Sequence, residues 1–255
     1  MNAWQSIDFR ESMNALICQK LLGLENGYTL PTVIWQNNQS EQTWEVLDNF
    51  GHDNGKNIQL GEAEASIANH YEEETFTKYG KAYQSFKDYL FADKANAITL
   101  DFELDQDIQI NGRVHLELKV KSNTNRGLIS AQVLEMGDKK YLAPIPELKR
   151  MNVDNGRLFK EEALRELPFK QAKYRVITKG HLNLQNRKDL LSIENVTPNE
   201  WMTIGLDLQP TIYKLNKGDK LRLVLYTTDF EHTIRDNSDY EVTVDLSQSK
   251  MTLPY

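Results

Sequence analysis

The sequence predicts a mainly β, antiparallel protein with one helix near its start. At least eight segments are short, rich in β-branched, leucine and aromatic residues, and bounded by turn residues, and several of them alternate apolar with polar positions. No regularly interleaved helices separate these segments, so the crossover helices that a parallel sheet requires are missing. A chain of 255 residues is long enough to bury one large β core.

The first element is a predicted helix over residues 8–23. Asp8 and Glu11 have the spacing of a capping box, and Gly23 can adopt the left-handed conformation that ends many helices. One face of this helix is apolar: Met13, Leu16, Ile17 and Leu21.

The remaining elements are predicted strands. They cover residues 32–36, 97–104, 107–122, 127–136, 173–184, 201–208, 220–229 and 240–246. Within the third of these, Asn111-Gly112 predicts a turn or a bulge.

Two inserts interrupt the β pattern. Residues 72–91 carry an aromatic stripe at helical spacing, which we expect to pack on the body of the protein rather than to bind a ligand. The stripe consists of Phe76, Tyr79, Tyr83, Phe86 and Leu90. Residues 142–169 form a long connection in which we expect a helix around 158–166.

Charge and composition exclude several classes of protein. A net charge of -7 disfavours nucleic-acid binding, which depends on clustered Lys and Arg. Cys18 is the only cysteine, so no intrachain disulfide can form. The sequence shows neither a signal peptide at its start nor an apolar run long enough to span a bilayer. We therefore expect a cytoplasmic protein with no nucleic-acid or membrane partner.

The common catalytic motifs are absent from the sequence. It contains no nucleophile elbow, phosphate loop, zinc-binding helix or dinucleotide turn. Its five histidines lack metal-ligand spacing: His52, His70, His115, His181 and His232. We therefore assign no catalytic, cofactor-binding or metal-binding residue, and we expect His115 to face solvent from its strand.

The segment 217–237 is the strongest candidate for a site. It places Asp229, His232 and Asp236 beside Thr227 and Thr228, directly after a strand. Asp and Thr side chains often cap their own backbone in such turns, so we expect a structural role here.

Four segments resemble a known family. They are residues 1–44, "YRVITKGHLNLQNR" (174–187), the 38 residues from "EWMTIGLDLQ" to "TIRDN" (200–237) and "VDLSQS" (244–249). Together they resemble the C-terminal third of the bacterial Xaa-Pro dipeptidyl-peptidases. More loosely, "GDKLRLVLYTTDF" resembles a strand of the serine hydrolases that include cocaine esterase and the glutaryl acylases, which usually continue with proline where this chain has Glu231.

This resemblance implies a fold and a role. Such enzymes join an α/β-hydrolase domain with a Ser-Asp-His triad to a C-terminal jelly-roll β-sandwich, which is galactose-binding-domain-like. Residues 1–29 would then be the last helix and exit linker of the hydrolase domain. Residues 30–255 would be the sandwich, with inserts at about 72–91 and 142–169.

The resemblance also implies that this chain is non-catalytic. The triad residues of the family lie upstream of the matched region, so we expect no peptidase activity from this chain alone and no cofactor. Its role would be structural or cleft-shaping within a homodimeric serine peptidase that releases Xaa-Pro dipeptides from peptide N-termini. Its partner would be the rest of the same polypeptide.

A different class of function stays open, because jelly-roll sandwiches often bind carbohydrate or other proteins. Trp35, Trp44 and Trp201 could supply a sugar-stacking platform. Trp35 and Trp201 lie in strand patterns and are expected in the core, whereas Trp44 is expected in a polar loop.

Overall fold

The computed structural model describes residues 9–27, 31–41, 43–52, 54–70, 97–143, 145, 147–153, 160–229, 233 and 238–255. The helix α1 spans Phe9–Lys20, which confirms the helix predicted near the start. Gly23 has φ +64°, in the left-handed region, and the Leu24 amide beyond it donates a hydrogen bond to the carbonyl of Cys18 at 2.9 Å. The predicted helix over 72–91 lies outside the described residues.

Strands dominate the rest of the described chain. They are β1 (Val33–Gln36), β2 (Trp44–Leu47), β3 (Gly55–Gln59), β4 (Glu64–Asn69), β5 (Ala97–Glu103), β6 (Ile108–Gly112), β7 (His115–Ser122), β8 (Leu128–Leu142), β9 (Glu147–Val153), β10 (Lys160–Glu166), β11 (Phe169–Asn183), β12 (Met202–Asp207), β13 (Thr211–Leu215), β14 (Lys220–Tyr226) and β15 (Tyr240–Pro254). Each predicted strand segment is confirmed. Gly112, with φ +135°, is the last residue of β6, so the chain breaks between β6 and β7 where the turn or bulge was expected.

The chain divides into two compact units, of which the first comprises residues 1–50 and 137–175. This unit contains two antiparallel pairs, β1 with β2 and β9 with β10. The helix expected around 158–166 is wrong over the described part, because residues 160–166 form β10 and pair along their whole length with β9. Cross-strand pairing has outweighed the helix propensity of a segment rich in Glu, Ala, Leu and Arg.

The second unit comprises residues 51–136 and 176–255 and contains the main core. One sheet has the order β11-β8-β14-β5, and the other has the order β12-β7-β15-β3 with β4 also beside β15. In β7, residues alternate between buried and half-buried, and Leu116, Leu118 and Val120 are fully buried. These side chains join one apolar cluster with residues of the other sheet, such as Leu223 and Val133.

The predicted class, a mainly β antiparallel sandwich preceded by one helix, is therefore confirmed. Alternation along the strands explains it, since each sheet directs every second side chain into the shared core. In the part of the chain that the structure describes, no helix is long and apolar enough to cross a membrane.

A cross-strand ion pair on the second unit predicts a pH-dependent contribution to stability. The register of β14 and β5 pairs Arg222 with Asp101, and two hydrogen bonds of 2.6 and 2.7 Å join the guanidinium to the carboxylate. The hydrogen bond from Arg222 lowers the pKa of the Asp101 carboxyl from its usual value of 3.8. A folded-state pKa below the unfolded one stabilises the fold above the unfolded pKa, and this stabilisation is lost as the pH falls through the folded pKa.

We therefore expect Asp101→Asn to reduce the free energy of unfolding at neutral pH by less than about 1 kcal/mol, because the pair is exposed to solvent. The difference from the wild type should shrink as the pH falls below 3.8, which is the usual carboxyl value. Urea denaturation of both proteins across this pH range measures it. A difference that stays constant at acid pH would contradict the assignment.

A buried polar cluster as the candidate functional site

Polar side chains gather inside the second unit at the end of β14. We call this group the buried polar cluster; its members are Asn69, Ser130, Gln132, His181, Tyr226, Thr227, Thr228 and Asp229. The four residues from Tyr226 to Asp229 are 0% exposed. Buried polar groups are normally hydrogen-bonded. The hydrogen-bond partners in the cluster therefore decide whether its role is structural or catalytic.

Asn69, the last residue of β4, connects two parts of the cluster. Its Oδ1 accepts hydrogen bonds from the hydroxyls of Thr227 and Thr228, each at 2.8 Å, and its Nδ2 donates to the carbonyl of Ser238 at 2.8 Å. Asn69 is only 1% exposed. One side chain therefore links β4 to the segments after β14 and before β15.

Asp229 is held by its neighbours in the turn. Its Oδ2 accepts a hydrogen bond of 2.7 Å from the hydroxyl of Tyr226, which in turn accepts one of 2.8 Å from Nε2 of Gln132. The Thr233 hydroxyl donates to the carbonyl of Asp229 at 2.8 Å and accepts from its amide at 3.1 Å. A threonine side chain therefore caps the backbone of this turn, but it is that of Thr233. The side chains of Thr227, Thr228 and Asp229, which we expected to cap, bond instead to Asn69 and Tyr226. His232 and Asp236 lie outside the described residues.

Ser130, His181 and Asp229 bring the residue types of a hydrolase triad together from three strands or their ends. Nδ1 of His181, on β11, lies 3.0 Å from Oγ of Ser130, on β8. Nε2 of His181 lies 3.8 Å from Oδ2 of Asp229. The histidine side chain is 22% exposed and the serine is 0% exposed.

The hydrogen bonds of Ser130 show that this group is not arranged for nucleophilic catalysis. The single hydroxyl proton of Ser130 is donated to the carbonyl of Thr227 at 2.7 Å. Nδ1 of His181 must therefore be the donor in its contact with Ser130, so it cannot accept the proton that a general base removes from the nucleophile. A substrate carbonyl also has no access to a fully buried hydroxyl. The geometry supports a structural role for the cluster.

Three other histidines of the described residues, His52, His70 and His115, are not brought into this cluster. Nδ1 of His115 lies 2.6 Å from Asp207 across β7 and β12, and the side chain is 41% exposed, so the expectation that it faces solvent is confirmed. His70 contacts Asp239 at 3.0 Å, and His52 accepts a hydrogen bond from Nδ2 of Asn111 at 3.1 Å.

Trp35 and Trp44, which the carbohydrate-binding alternative would place on one sugar platform, are separated by the strand register. Trp35 pairs with Glu45 and Trp44 pairs with Gln36, so the two indoles project to opposite faces of the β1–β2 pair. Trp44 lies in β2, not in the expected polar loop. Trp201 directly precedes β12 and is half-buried. The expectation that it lies in the core is therefore wrong. Nζ of Lys121 lies 4.2 Å from the centroid of its ring.

Sequence comparison places most of the chain in one family. Residues 26–253 match the family described as the X-Pro dipeptidyl-peptidase C-terminal non-catalytic domain. A Xaa-Pro dipeptidyl-peptidase of Streptococcus thermophilus is 96% identical over all 255 residues, which cover 34% of that protein. A Xaa-Pro dipeptidyl-peptidase of Streptococcus pneumoniae is 57% identical over 256 residues, again with 34% of the protein covered. The chain thus spans about a third of the length of the curated relatives it matches.

Solved structures show the same fold at low sequence identity. An α-amino acid ester hydrolase is similar over 95% of this chain and 44% of its own, with a TM-score of 0.59 at 12% identity. A CocE/NonD family hydrolase of Staphylococcus aureus is similar over 98% of this chain and 46% of its own, with a TM-score of 0.56 at 12% identity.

Proposed function

Because the chain belongs to the family of X-Pro dipeptidyl-peptidase C-terminal non-catalytic domains, we propose that it serves a serine peptidase that releases Xaa-Pro dipeptides from peptide N-termini. In this proposal the sandwich stabilises the enzyme or shapes its substrate cleft, while the catalytic triad lies elsewhere in the longer polypeptide. Relatives at 94–96% identity, all of them Xaa-Pro dipeptidyl-peptidases, support the assignment of the activity to the longer protein.

The observation that carries the non-catalytic role is the closed geometry of Ser130, His181 and Asp229. The serine proton is donated to a backbone carbonyl and the serine is fully buried. A group of this composition could otherwise be mistaken for an acyl-transfer site, since triads are recognised by geometry rather than by order in the sequence.

The helix α1 supports the proposal that residues 1–29 belong to a hydrolase domain. Its apolar face is exposed to solvent: Leu16 and Ile17 are 41% and 40% exposed, and Leu21, directly after the helix, is 77% exposed. An apolar helix face of this kind is normally packed against another element. We propose that the remaining residues, 30–255, act as the sandwich domain.

We expect the 255-residue chain alone to release no p-nitroaniline from a Gly-Pro p-nitroanilide substrate, whereas the longer enzyme that carries it should cleave the substrate. A Ser130→Ala variant of the chain is the matched control. Cleavage by the isolated chain that disappears in this variant would overturn the non-catalytic role.

Removal of the sandwich from the longer enzyme tests its contribution. We expect the truncated enzyme to lose thermal stability, or to lose kcat/KM toward longer peptides more than toward the short anilide. An enzyme unchanged in both properties would contradict a structural or cleft-shaping role.

The proposal also includes a homodimer of the longer enzyme in the cytoplasm, which sedimentation and cell fractionation would test.

A further inference from the structure

A short loop of the second unit exposes three large apolar side chains. The loop, residues 187–194, follows the 3₁₀ turn Leu184–Asn186 and precedes β12. Leu190, Leu191 and Ile193 are 81%, 94% and 79% exposed. Burying one such side chain contributes about 1.5–3 kcal/mol, so three adjacent exposed ones are a substantial potential source of binding energy. We call these three residues the apolar tip.

Hydrogen bonds within the loop hold the apolar tip in place. The Asp189 carboxylate accepts hydrogen bonds from the amide of Leu191 at 3.0 Å and from the hydroxyl of Ser192 at 2.7 Å. Nδ2 of Asn186 donates to the carbonyl of Ser192 at 3.0 Å. The backbone of the tip is therefore shaped before any partner binds, which lowers the entropy cost of binding.

The base of the loop is anchored to the sandwich and its charges are paired. The Arg187 guanidinium donates to the carbonyls of Leu184 at 3.0 Å and Asn195 at 3.1 Å. Leu184 is itself fully buried in the core. Glu194 pairs through one oxygen with Arg187 at 2.9 Å and through the other with Lys188 at 3.0 Å. The charged groups beside the tip are thus engaged within the loop, and an apolar surface is what remains for a partner.

The size of the tip favours an occupant on the same polypeptide over a second copy of the chain. Three exposed side chains offer on the order of a few hundred Å². A stable complex between separate proteins usually buries about 1,200–2,000 Å², so the tip alone is too small for one. A covalently linked partner needs less area, because linkage supplies a high effective concentration. The relative at 96% identity is about three times as long as this chain, which covers 34% of it.

We propose that the apolar tip docks into an apolar recess on the part of the longer peptidase that lies outside these 255 residues. This inference rests on the proposed function, since it takes the chain to work within the longer enzyme. In this proposal, the sandwich contacts the neighbouring part of the polypeptide through Leu190, Leu191 and Ile193.

Photo-crosslinking in the longer enzyme tests the docking. The photoreactive residue p-benzoylphenylalanine replaces Leu191, whose high exposure makes the exchange compatible with folding, and in a control enzyme it replaces Lys188 on the charged side of the same loop. We expect irradiation at position 191 to give an internal adduct with a peptide outside the 255 residues, at the mass of one polypeptide and in severalfold higher yield than at position 188.

Two outcomes would overturn the proposal. An adduct of doubled mass would mean that a second copy covers the tip, and the absence of an adduct outside the sandwich would mean that the tip is not docked. Cleavage of the Gly-Pro anilide by the same preparations reports separately on the proposed function. An enzyme that is active but lacks the internal adduct would therefore refute the docking while leaving the peptidase assignment intact.

Discussion

Leu223→Ala is expected to lower the free energy of unfolding by about 2–5 kcal/mol, which is the range for truncation of a large side chain in a well-packed core. Leu223 lies in the middle of β14, the strand between β8 and β5 in its sheet. It is 0% exposed and pairs with Val133 on one side and Leu100 on the other. Its removal leaves a cavity that two neighbouring strands can close only by distorting their ladders.

Urea denaturation followed by circular dichroism measures this effect. The matched control is Arg222→Ala, the preceding residue of β14, whose side chain projects to the opposite face and pairs with Asp101 at 2.6 Å. The control should cost less than about 1 kcal/mol, because exposed ion pairs contribute little. Equal losses in the two variants would contradict the placement of Leu223 at the centre of the core.

Asn69→Ala is expected to lower the free energy of unfolding by about 3 kcal/mol or more. Each buried polar group that loses its partner costs about 1–3 kcal/mol, and this substitution affects more than one such group. The substitution removes the acceptor of the Thr227 and Thr228 hydroxyls and the donor to the carbonyl of Ser238. Both threonines are 0% exposed, so water cannot replace the lost partner without opening the cluster.

Thr227→Val and Thr228→Val provide the controls for this prediction. Each removes one hydroxyl and leaves Asn69 bonded to the other, so each should cost less than Asn69→Ala. In the Asn69→Ala background, either threonine substitution should cost little, since the hydroxyl it removes is already without its acceptor. Additive losses in this double-mutant cycle would show that Asn69 and the threonines do not act together.

The strands that sequence reasoning found share one property. In β5, β7 and β14, apolar residues recur at alternate positions that pack into the core, and in β14 the residues from Leu223 to Tyr226 are buried on both faces. Two of the strands it missed, β2 and β3, lack this signal. β3, with the sequence "GKNIQ", is exposed or half-buried along its length, and β2 begins with the half-buried Trp44.

The segment of β10 shows why local propensity misled the prediction. Its sequence "KEEALRE" consists of good helix formers, yet seven consecutive residues pair with β9. Helix propensity is worth only tenths of a kcal/mol for each residue, so a ladder formed with a neighbouring strand can outweigh it.

The candidate site was found only where its residues are close in sequence. Thr227 to Asp229 stand together after a strand, and a structural role for them could be predicted, although the residue that caps the turn is Thr233. Asn69 contacts Thr227 from 158 residues away, and Gln132 contacts Tyr226 from 94 residues away. A polar residue within a strand does not reveal its partner, because strand pairing across long stretches of chain decides it.

The sequence alone was enough to identify a mainly β chain with one helix, its principal strands and its non-catalytic family. Alternating apolar residues predicted the strands, and the motif segments carried the family resemblance. Both signals are properties of the sequence itself. The closure of Ser130, His181 and Asp229, the separation of Trp35 from Trp44 and the exposure of Leu190, Leu191 and Ile193 emerged only from the folded chain. The physical reason is that hydrogen-bond partners, strand register and solvent exposure depend on residues that folding brings together from distant parts of the sequence.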